Sequence, residues 1–183
     1  MINRPANWDT IEESTGEFKT LKPGGYVCII KKATDVPEKN YFEVEYDVAE
    51  GPLKGIALDA YEKWGNWNYK FRVYYTNGAM GFLKHFVSCL EKTNRGYTFD
   101  WNVATLAGKG IGLLIGTRQY CGKDGTIKSA TDVQDYYTAE EIRAGEFKEP
   151  KVRPPRENPP AASANVFSAP TFEAVGNEGS LPF

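Results

Sequence analysis

The chain has 183 residues, of which 41% are hydrophobic and 14% aromatic, and its formal net charge is −2. This length fits one domain plus a tail, the apolar content supports a core, and the near-neutral charge excludes a uniformly basic nucleic-acid binder. Three widely separated cysteines, no apolar run of membrane-spanning length and no signal-peptide core at residues 1–8 predict a cytoplasmic protein without a membrane segment.

The first part of the chain predicts three strands. Residues 1–22 are polar with scattered apolar anchors, and we expect an N-terminal arm lying on the domain. A Pro-Gly-Gly turn precedes a β-rich run at 26–33, and a loop at 34–40 leads to a second strand at 41–48. In that strand, apolar residues alternate with Glu43, Glu45 and Asp47, which predicts a wet acidic face. A third strand is predicted at 56–61.

The next part predicts helices and two more strands. Apolar residues at helical spacing predict a helix at 79–91, and a short helical piece follows at 103–107. Strands are predicted at 111–120 and 126–137, joined by a hairpin at residues 123–125. Thr138, followed three residues later by Glu141, predicts a capped helix at 138–145.

The order of these elements predicts the fold class. Five strands with a helix between the third and fourth have the connectivity of the oligonucleotide-binding (OB) fold, a small partly open barrel. Its nucleic-acid face lies on strands 2 and 3 and on the loops that join strands 1–2 and 4–5. We therefore predict a mainly β protein: an arm at 1–22, a five-stranded OB-fold barrel at 23–146, and a disordered Pro/Ala/Ser-rich tail at 147–183.

Stretch 60–75 is the most distinctive segment, because seven of its 16 residues are aromatic. Flat rings can stack on bases and nearby cations can bind phosphates, which is how single strands are held without reading sequence. Aromatic residues are equally ordinary in cores and strands. The position beside the expected binding face favours stacking. We expect Phe71 and Val73 to be core residues, and Trp64 and Trp67 to reach solvent.

The candidate DNA-binding residues are rings for bases and cations for phosphates. The rings are Trp64, Trp67, Tyr69, Tyr74 and Tyr75. The cations are Lys31, Lys32, Lys63, Lys70, Arg72, Lys109, Arg118 and Lys123. The basic segment 148–156 is expected either to add phosphate contacts or to hold the acidic tail when DNA is absent.

The last three residues, Leu181, Pro182 and Phe183, are apolar after a linker-like tail. They are predicted to be a peptide ligand: the Phe183 ring enters a partner's pocket, and Pro182 limits the conformations lost on binding. The tip resembles that of bacterial single-stranded DNA-binding proteins, which ends in an acidic run and Ile-Pro-Phe. Here Leu181 replaces Ile and Glu178 is the only acid. The resemblance implies recruitment of replication, recombination or repair proteins.

The body of the chain, over most of residues 18–145, resembles a family of phage proteins from Gram-positive hosts. The resemblance rests on the order and spacing of LKPGGYV at 21–27, FEVEYDVAEG at 42–51, TNRGYTFD at 93–100 and LAGKGIG at 106–112. The family was once labelled a domain of unknown function and is now regarded as phage single-stranded DNA-binding proteins. It implies an OB fold and sequence-independent binding and protection of single-stranded DNA during phage replication or recombination in the bacterial host's cytoplasm.

Catalysis, a cofactor and a metal are not expected. His85 and Cys89 supply only two metal ligands, fewer than a closed site needs, and a packed helix residue is the favoured interpretation of His85. Residues 108–112 lack the P-loop form, in which Gly-Lys is followed by Ser or Thr. Two alternatives stay open: an OB-fold protein-interaction module of a replisome or recombinase, without strong DNA affinity, and a metal-dependent nuclease. Whether the protein forms a homo-oligomer is also open.

Overall fold

The computed structural model of this chain describes Arg4 and residues 20–155, and its strands form a mainly antiparallel sheet accompanied by three α-helices. The strands are β1 (Gly24–Val36), β2 (Tyr41–Val48), β3 (Lys70–Tyr74), β4 (Gly110–Cys121), β5 (Ile127–Tyr137) and β6 (Val152–Arg153). The helices are α1 (Ile56–Trp64), α2 (Met80–Thr93) and α3 (Ala139–Ala144). No helix in this described part is long and apolar enough to cross a membrane.

The strand order is β3-β2-β1-β4-β5, with antiparallel neighbours, and β6 pairs in parallel with β4. The central strand β1 changes partners along its length, since Gly24–Ile29 pair with β4 and Cys28–Val36 pair with β2. A register shift between Ile30 and Lys32 marks a β-bulge, which bends a strand. The prediction of a mainly β protein with a helix between the third and fourth strands is confirmed, and that helix is α2.

The two edges of the sheet approach each other without pairing. In a flat sheet, β3 and β5 would be separated by four strand spacings, roughly 19 Å. The rings of Phe71 on β3 and Tyr136 on β5 have centroids only 5.7 Å apart, so the sheet is strongly curled. No hydrogen-bonded ladder joins β3 to β5 among residues 20–155. The sheet is therefore open.

The core fills the inside of this curl, and α2 covers it. Helical spacing places Leu83, Phe86 and Leu90 on one buried face of α2. The Phe86 ring lies 6.2 Å from Phe71 and 5.2 Å from Tyr136, so one helical side chain contacts both edge strands. Side chains from β1 and β4 complete the same cluster: Cys28, Ile30, Ile111, Leu113 and Ile115.

The prediction of a third strand at 56–61 is wrong, because this segment is the first part of α1. Asp47 is 2% exposed, and its Oδ1 accepts hydrogen bonds from the backbone N–H groups of Val48 (2.8 Å) and Ala57 (2.9 Å). A carboxylate on the free N–H groups of a first turn stabilises a helix start. The prediction that the acidic face of β2 is exposed to solvent is therefore wrong at Asp47. The third strand of the structure is β3, Lys70–Tyr74.

The other predicted elements are found with ends that move by at most three residues. The capping box at α3 is present in both directions between Thr138 and Glu141. Residues 147–155, predicted as the start of a disordered tail, are part of the described structure: the Phe147 ring packs 6.3 Å from Tyr137, and residues 152–153 form β6. Most of the predicted N-terminal arm and residues 156–183 lie outside the described residues.

Candidate nucleic-acid interface

A groove of about 760 Å³ lies between the two edges of the curled sheet. Four cations and two acids line it: Lys70, Arg72, Arg118, Arg153, Glu43 and Asp132. Tyr74 and Tyr120 add two exposed rings. The groove therefore has more cations than acids, and exposed rings lie among them. Such a surface is suited to a phosphate backbone with unpaired bases.

The wall formed by β3 follows from strand alternation. Lys70, Arg72 and Tyr74 are exposed, while Phe71 is 8% and Val73 2% exposed in the core. Successive side chains of a strand point to opposite faces, so the three outward positions fall in one row. The prediction that Phe71 and Val73 are core residues is confirmed.

Glu43 on β2 organises the cations of this wall. It lies opposite Arg72 in the ladder, and its carboxylate contacts Lys70 Nζ at 2.9 Å and Arg72 Nε at 3.5 Å. The hydrogen bond from Lys70 is the main cause that holds the pKa of Glu43 below its ordinary value. One acid thus fixes two cations at the groove surface and neutralises one of their charges.

The ring of Tyr41, the first residue of β2, contacts both a cation and a second aromatic ring of this wall. The Arg72 guanidinium carbon lies 4.8 Å from the Tyr41 ring centroid, within cation–π range. The Tyr74 ring meets Tyr41 edge-on at 5.3 Å. These contacts hold Arg72 and Tyr74 side by side, as a phosphate contact next to a stacking surface requires.

The opposite wall is formed by the outer half of β4, β5 and β6. β1 pairs with β4 only as far as Ile115, so Arg118 and Tyr120 lie on the extension of β4 beyond that pairing. Arg153 Nη1 lies 3.1 Å from Asp132 on β5. Arg118 has no hydrogen-bond or ion-pair partner within the described part of the chain, so its side-chain N–H groups are available to a ligand.

Of the predicted site residues, the groove brings together Lys70, Arg72, Tyr74 and Arg118. Trp64, the last residue of α1, is 56% exposed as expected, and Lys63 Nζ lies 5.6 Å from its ring centroid. These two side chains do not line the groove.

Trp67, which was also expected to reach solvent, is only partly exposed. Its indole N–H donates to the backbone carbonyl of Tyr69 at 3.0 Å, and its ring lies 5.8 Å from Tyr61, so it is partly buried. The ring of Tyr69 packs edge-on against buried Tyr46 at 6.1 Å, and burial raises the pKa of Tyr69. The Tyr75 hydroxyl donates to Asp35 at 3.0 Å. These three residues stabilise the structure around β3 and lie outside the groove lining.

The remaining predicted cations are spread over other surfaces. Lys31 and Lys32 are exposed at the β1 bulge, and Lys123 is exposed in the turn between β4 and β5. Lys109 Nζ lies 4.4 Å from the Tyr97 ring centroid. None of the four lines the groove. The tip residues Leu181, Pro182 and Phe183 lie outside the described residues.

Groove residues that were absent from the predicted site include Glu43, Tyr120, Asp132 and Arg153. Tyr120 is the last residue of the predicted strand 111–120 and precedes the 4–5 loop of the expected nucleic-acid face. That position could have identified it as a site residue. Arg153 was included only in a basic segment assigned to the tail. Nothing local in the sequence indicated that this segment returns to pair with β4.

His85 and Cys89 on α2 were the two possible metal ligands in the sequence. The His85 Nε2–H donates to the Tyr136 carbonyl at 2.8 Å, and His85 Nδ1 lies 3.8 Å from Cys89 Sγ. Burial raises the pKa of the Cys89 thiol to about 11, so the thiol stays protonated at neutral pH. Within the described part, no three His, Cys, Asp or Glu side chains are grouped to hold a metal ion.

A scan against protein-family models and a search of curated proteins found no match to this chain.

Proposed function

We propose that this protein binds single-stranded DNA without sequence preference and protects it during phage replication or recombination in the cytoplasm of a bacterial host. The observation that carries the proposal is the groove, which joins four cations to the exposed rings of Tyr74 and Tyr120. Bases would stack on these rings, and phosphates would contact the guanidinium and ammonium groups. Bases inside a duplex are already stacked and paired, so the groove would favour single strands.

We propose further that the sheet is an OB-fold barrel left partly open between β3 and β5. The strand order with β1 in the centre and the insertion of α2 between β3 and β4 support this assignment. The contact between Phe71 and Tyr136 supports the curl that such a barrel needs. In an OB fold, strands 2 and 3 and the 4–5 loop frame the nucleic-acid site, and the groove here is lined by Glu43 of β2, by β3 and by the end of β4 before that loop, which supports the assignment.

The test is a titration of fluorescently labelled oligo-dT at low salt, followed by anisotropy, with a duplex of equal length as comparison. Single strands should bind more tightly than duplex, and Arg118→Ala should weaken binding about tenfold, as expected for lost charged hydrogen bonds. Arg95→Ala is the matched control, because Arg95 is exposed and does not line the groove. Absence of oligo-dT binding by the wild-type protein at low salt would overturn the proposal.

The tail tip is proposed to serve a separate role. Leu181, Pro182 and Phe183 would recruit replication, recombination or repair proteins, while the groove holds the strand. Deleting the three residues should leave oligo-dT affinity unchanged. A large loss of affinity on deletion would place the tip in the DNA site instead.

A second candidate, a protein-interaction module, is favoured by one observation. Trp101 is 73% exposed beside an apolar hollow of about 290 Å³ that Phe42, Tyr75, Leu83 and Phe99 also line. Large exposed rings beside apolar hollows are typical of protein interfaces. If the folded protein does not bind oligo-dT, a protein-interaction module is the better-supported function.

A further inference from the structure

The C-terminal segment places a second arginine beside Arg118. Strand β6 pairs in parallel with β4 in the register Thr117–Val152 and Arg118–Arg153. Residues in register on neighbouring strands are about 5 Å apart at the backbone, and both side chains line the groove. The two arginine side chains therefore extend from neighbouring backbone positions on one wall.

Gln134 on β5 fixes this register. Its Nε2–H donates to the Lys151 carbonyl at 2.5 Å, and its Oε1 accepts from the Lys151 N–H at 2.9 Å, so the amide satisfies both backbone groups of one residue. The Thr117 N–H also donates to the Lys151 carbonyl, at 3.3 Å. The residue before β6 is thus held from two strands.

Gly116 makes room for this contact. A Cβ on Gly116 would lie 2.0 Å from Nε2 and 2.1 Å from Cδ of Gln134. The Gln134 amide therefore crosses β4 over a position without a side chain. Any larger residue at 116 would displace the end of Gln134 and break its two hydrogen bonds to Lys151.

Both arginines keep donors for a ligand. Arg153 uses Nη1 for Asp132 at 3.1 Å and Nη2 for the Gln134 carbonyl at 3.4 Å, which leaves part of its five N–H donors unused. Arg118 has no partner among the described residues. Asp132 offsets one of the two charges and holds Arg153 in place. The remaining positive charge and the free donors match one phosphodiester group.

We propose that Arg118 and Arg153 together bind one phosphate of the DNA strand, and that Gln134, lying over Gly116, positions Arg153 for this contact. The inference rests on the proposed function. It makes residues 148–155 part of the DNA site, with Arg153 contacting the ligand and Gln134 acting as a positioning residue.

The experiment is a double-mutant cycle with labelled oligo-dT over a range of salt concentrations. Arg118→Ala and Arg153→Ala should each weaken binding about tenfold. The double variant should lose less than the product of the two single losses, because both remove the same contact. It should also reduce the slope of log affinity against log salt by about 0.7, the value for one phosphate on a single strand.

Gln134 is tested in two backgrounds. Gln134→Ala should weaken oligo-dT binding severalfold in the wild-type protein and have no further effect in the Arg153→Ala variant. Gly116→Ala should reproduce the effect of Gln134→Ala and add nothing to it. Thermal unfolding of each variant identifies any that fail to fold, and Arg95→Ala controls for loss of surface charge.

The outcomes separate the two claims. A wild-type protein that does not bind oligo-dT overturns the proposed function. A wild-type protein that binds, with Arg153→Ala binding equally well, overturns the inference alone. A slope reduced by about 1.4 in the double variant would assign the arginines to two phosphates, which also overturns it. An equal effect of Gln134→Ala in both backgrounds would show that Gln134 acts independently of Arg153.

Discussion

At the scale of single residues, acidic side chains hold the basic side chains of the groove in place. Glu43 holds Lys70 and Arg72, and Asp132 holds Arg153. Arg72 is fixed further by the Tyr41 ring. Cations that are ordered before binding lose less conformational entropy when a phosphate arrives. The cost is competition, because a phosphate bound by Lys70, Arg72 or Arg153 must share that cation with a carboxylate.

The pH dependence of stability tests the Glu43 contacts. The pKa of Glu43 is lowered in the folded protein, chiefly by the hydrogen bond from Lys70. Its contribution is therefore present at neutral pH and is lost as pH falls through the lowered pKa. Glu43→Gln should reduce the free energy of unfolding by up to about 1 kcal/mol at pH 7, and urea unfolding should show this difference shrinking at pH 3. An equal difference at both pH values would contradict the assignment.

A comparison of two exposed rings tests which surface binds bases. Tyr120 lines the groove, whereas Trp64 is more exposed but lies outside its lining. Tyr120→Ala should weaken oligo-dT binding by about 1–3 kcal/mol, the typical value for a base–aromatic stack. Trp64→Ala should have a smaller effect. Anisotropy titrations of the two variants measure both, and the reverse order would move the site to the end of α1.

At the scale of elements, β2 does two jobs. Glu43 lines the groove, buried Tyr41 supports Arg72 from below, and Asp47 near the end of the strand stabilises the start of α1 by accepting the Ala57 N–H. The turn between them needs Gly55 at φ +80°, a left-handed conformation that glycine adopts without strain. The chain after β2 therefore forms a helix before it returns as β3.

Asp47→Ala tests this element. The substitution leaves the buried N–H groups of Val48 and Ala57 without their acceptor, so it should lower the free energy of unfolding by about 1–3 kcal/mol. Asp47→Asn keeps a side-chain oxygen and should cost less. Urea unfolding at pH 7 measures both variants. An Asp47→Ala protein as stable as the wild type would show that α1 begins without this contact.

At the scale of the whole molecule, regular periodicity made most of the fold predictable. The alternation in 41–48 and the helical spacing in 79–91 are local patterns, and β2 and α2 are found where they predict. Residues 56–61 carry a short apolar run that suits either a strand or a helix, and the choice depends on Asp47, nine residues before Ile56. Tertiary contacts of this kind leave no local signal.

The candidate site was predictable to a similar extent. Lys70, Arg72 and Tyr74 were predicted from the aromatic and basic composition of residues 60–75, and the alternation of Phe71 and Val73 with Arg72 predicted which side chains are buried. Arg153 joins them only through β6 and Gln134, contacts between segments far apart in sequence. Trp67 looked accessible because its flanking residues form a turn, yet its N–H bonds within that turn to Tyr69. Composition alone cannot separate a ring that packs from a ring that is exposed.

The central claim is that the groove between β3 and the β4 extension holds single-stranded DNA. Photo-crosslinking of oligo-dT that contains 5-iodouracil, followed by mass spectrometry of the crosslinked peptides, tests it most directly. We expect crosslinks at Tyr74 or Tyr120, which offer exposed rings in the groove. Crosslinks confined to Trp64 or Trp101, with none on β3 or β4, would contradict the account.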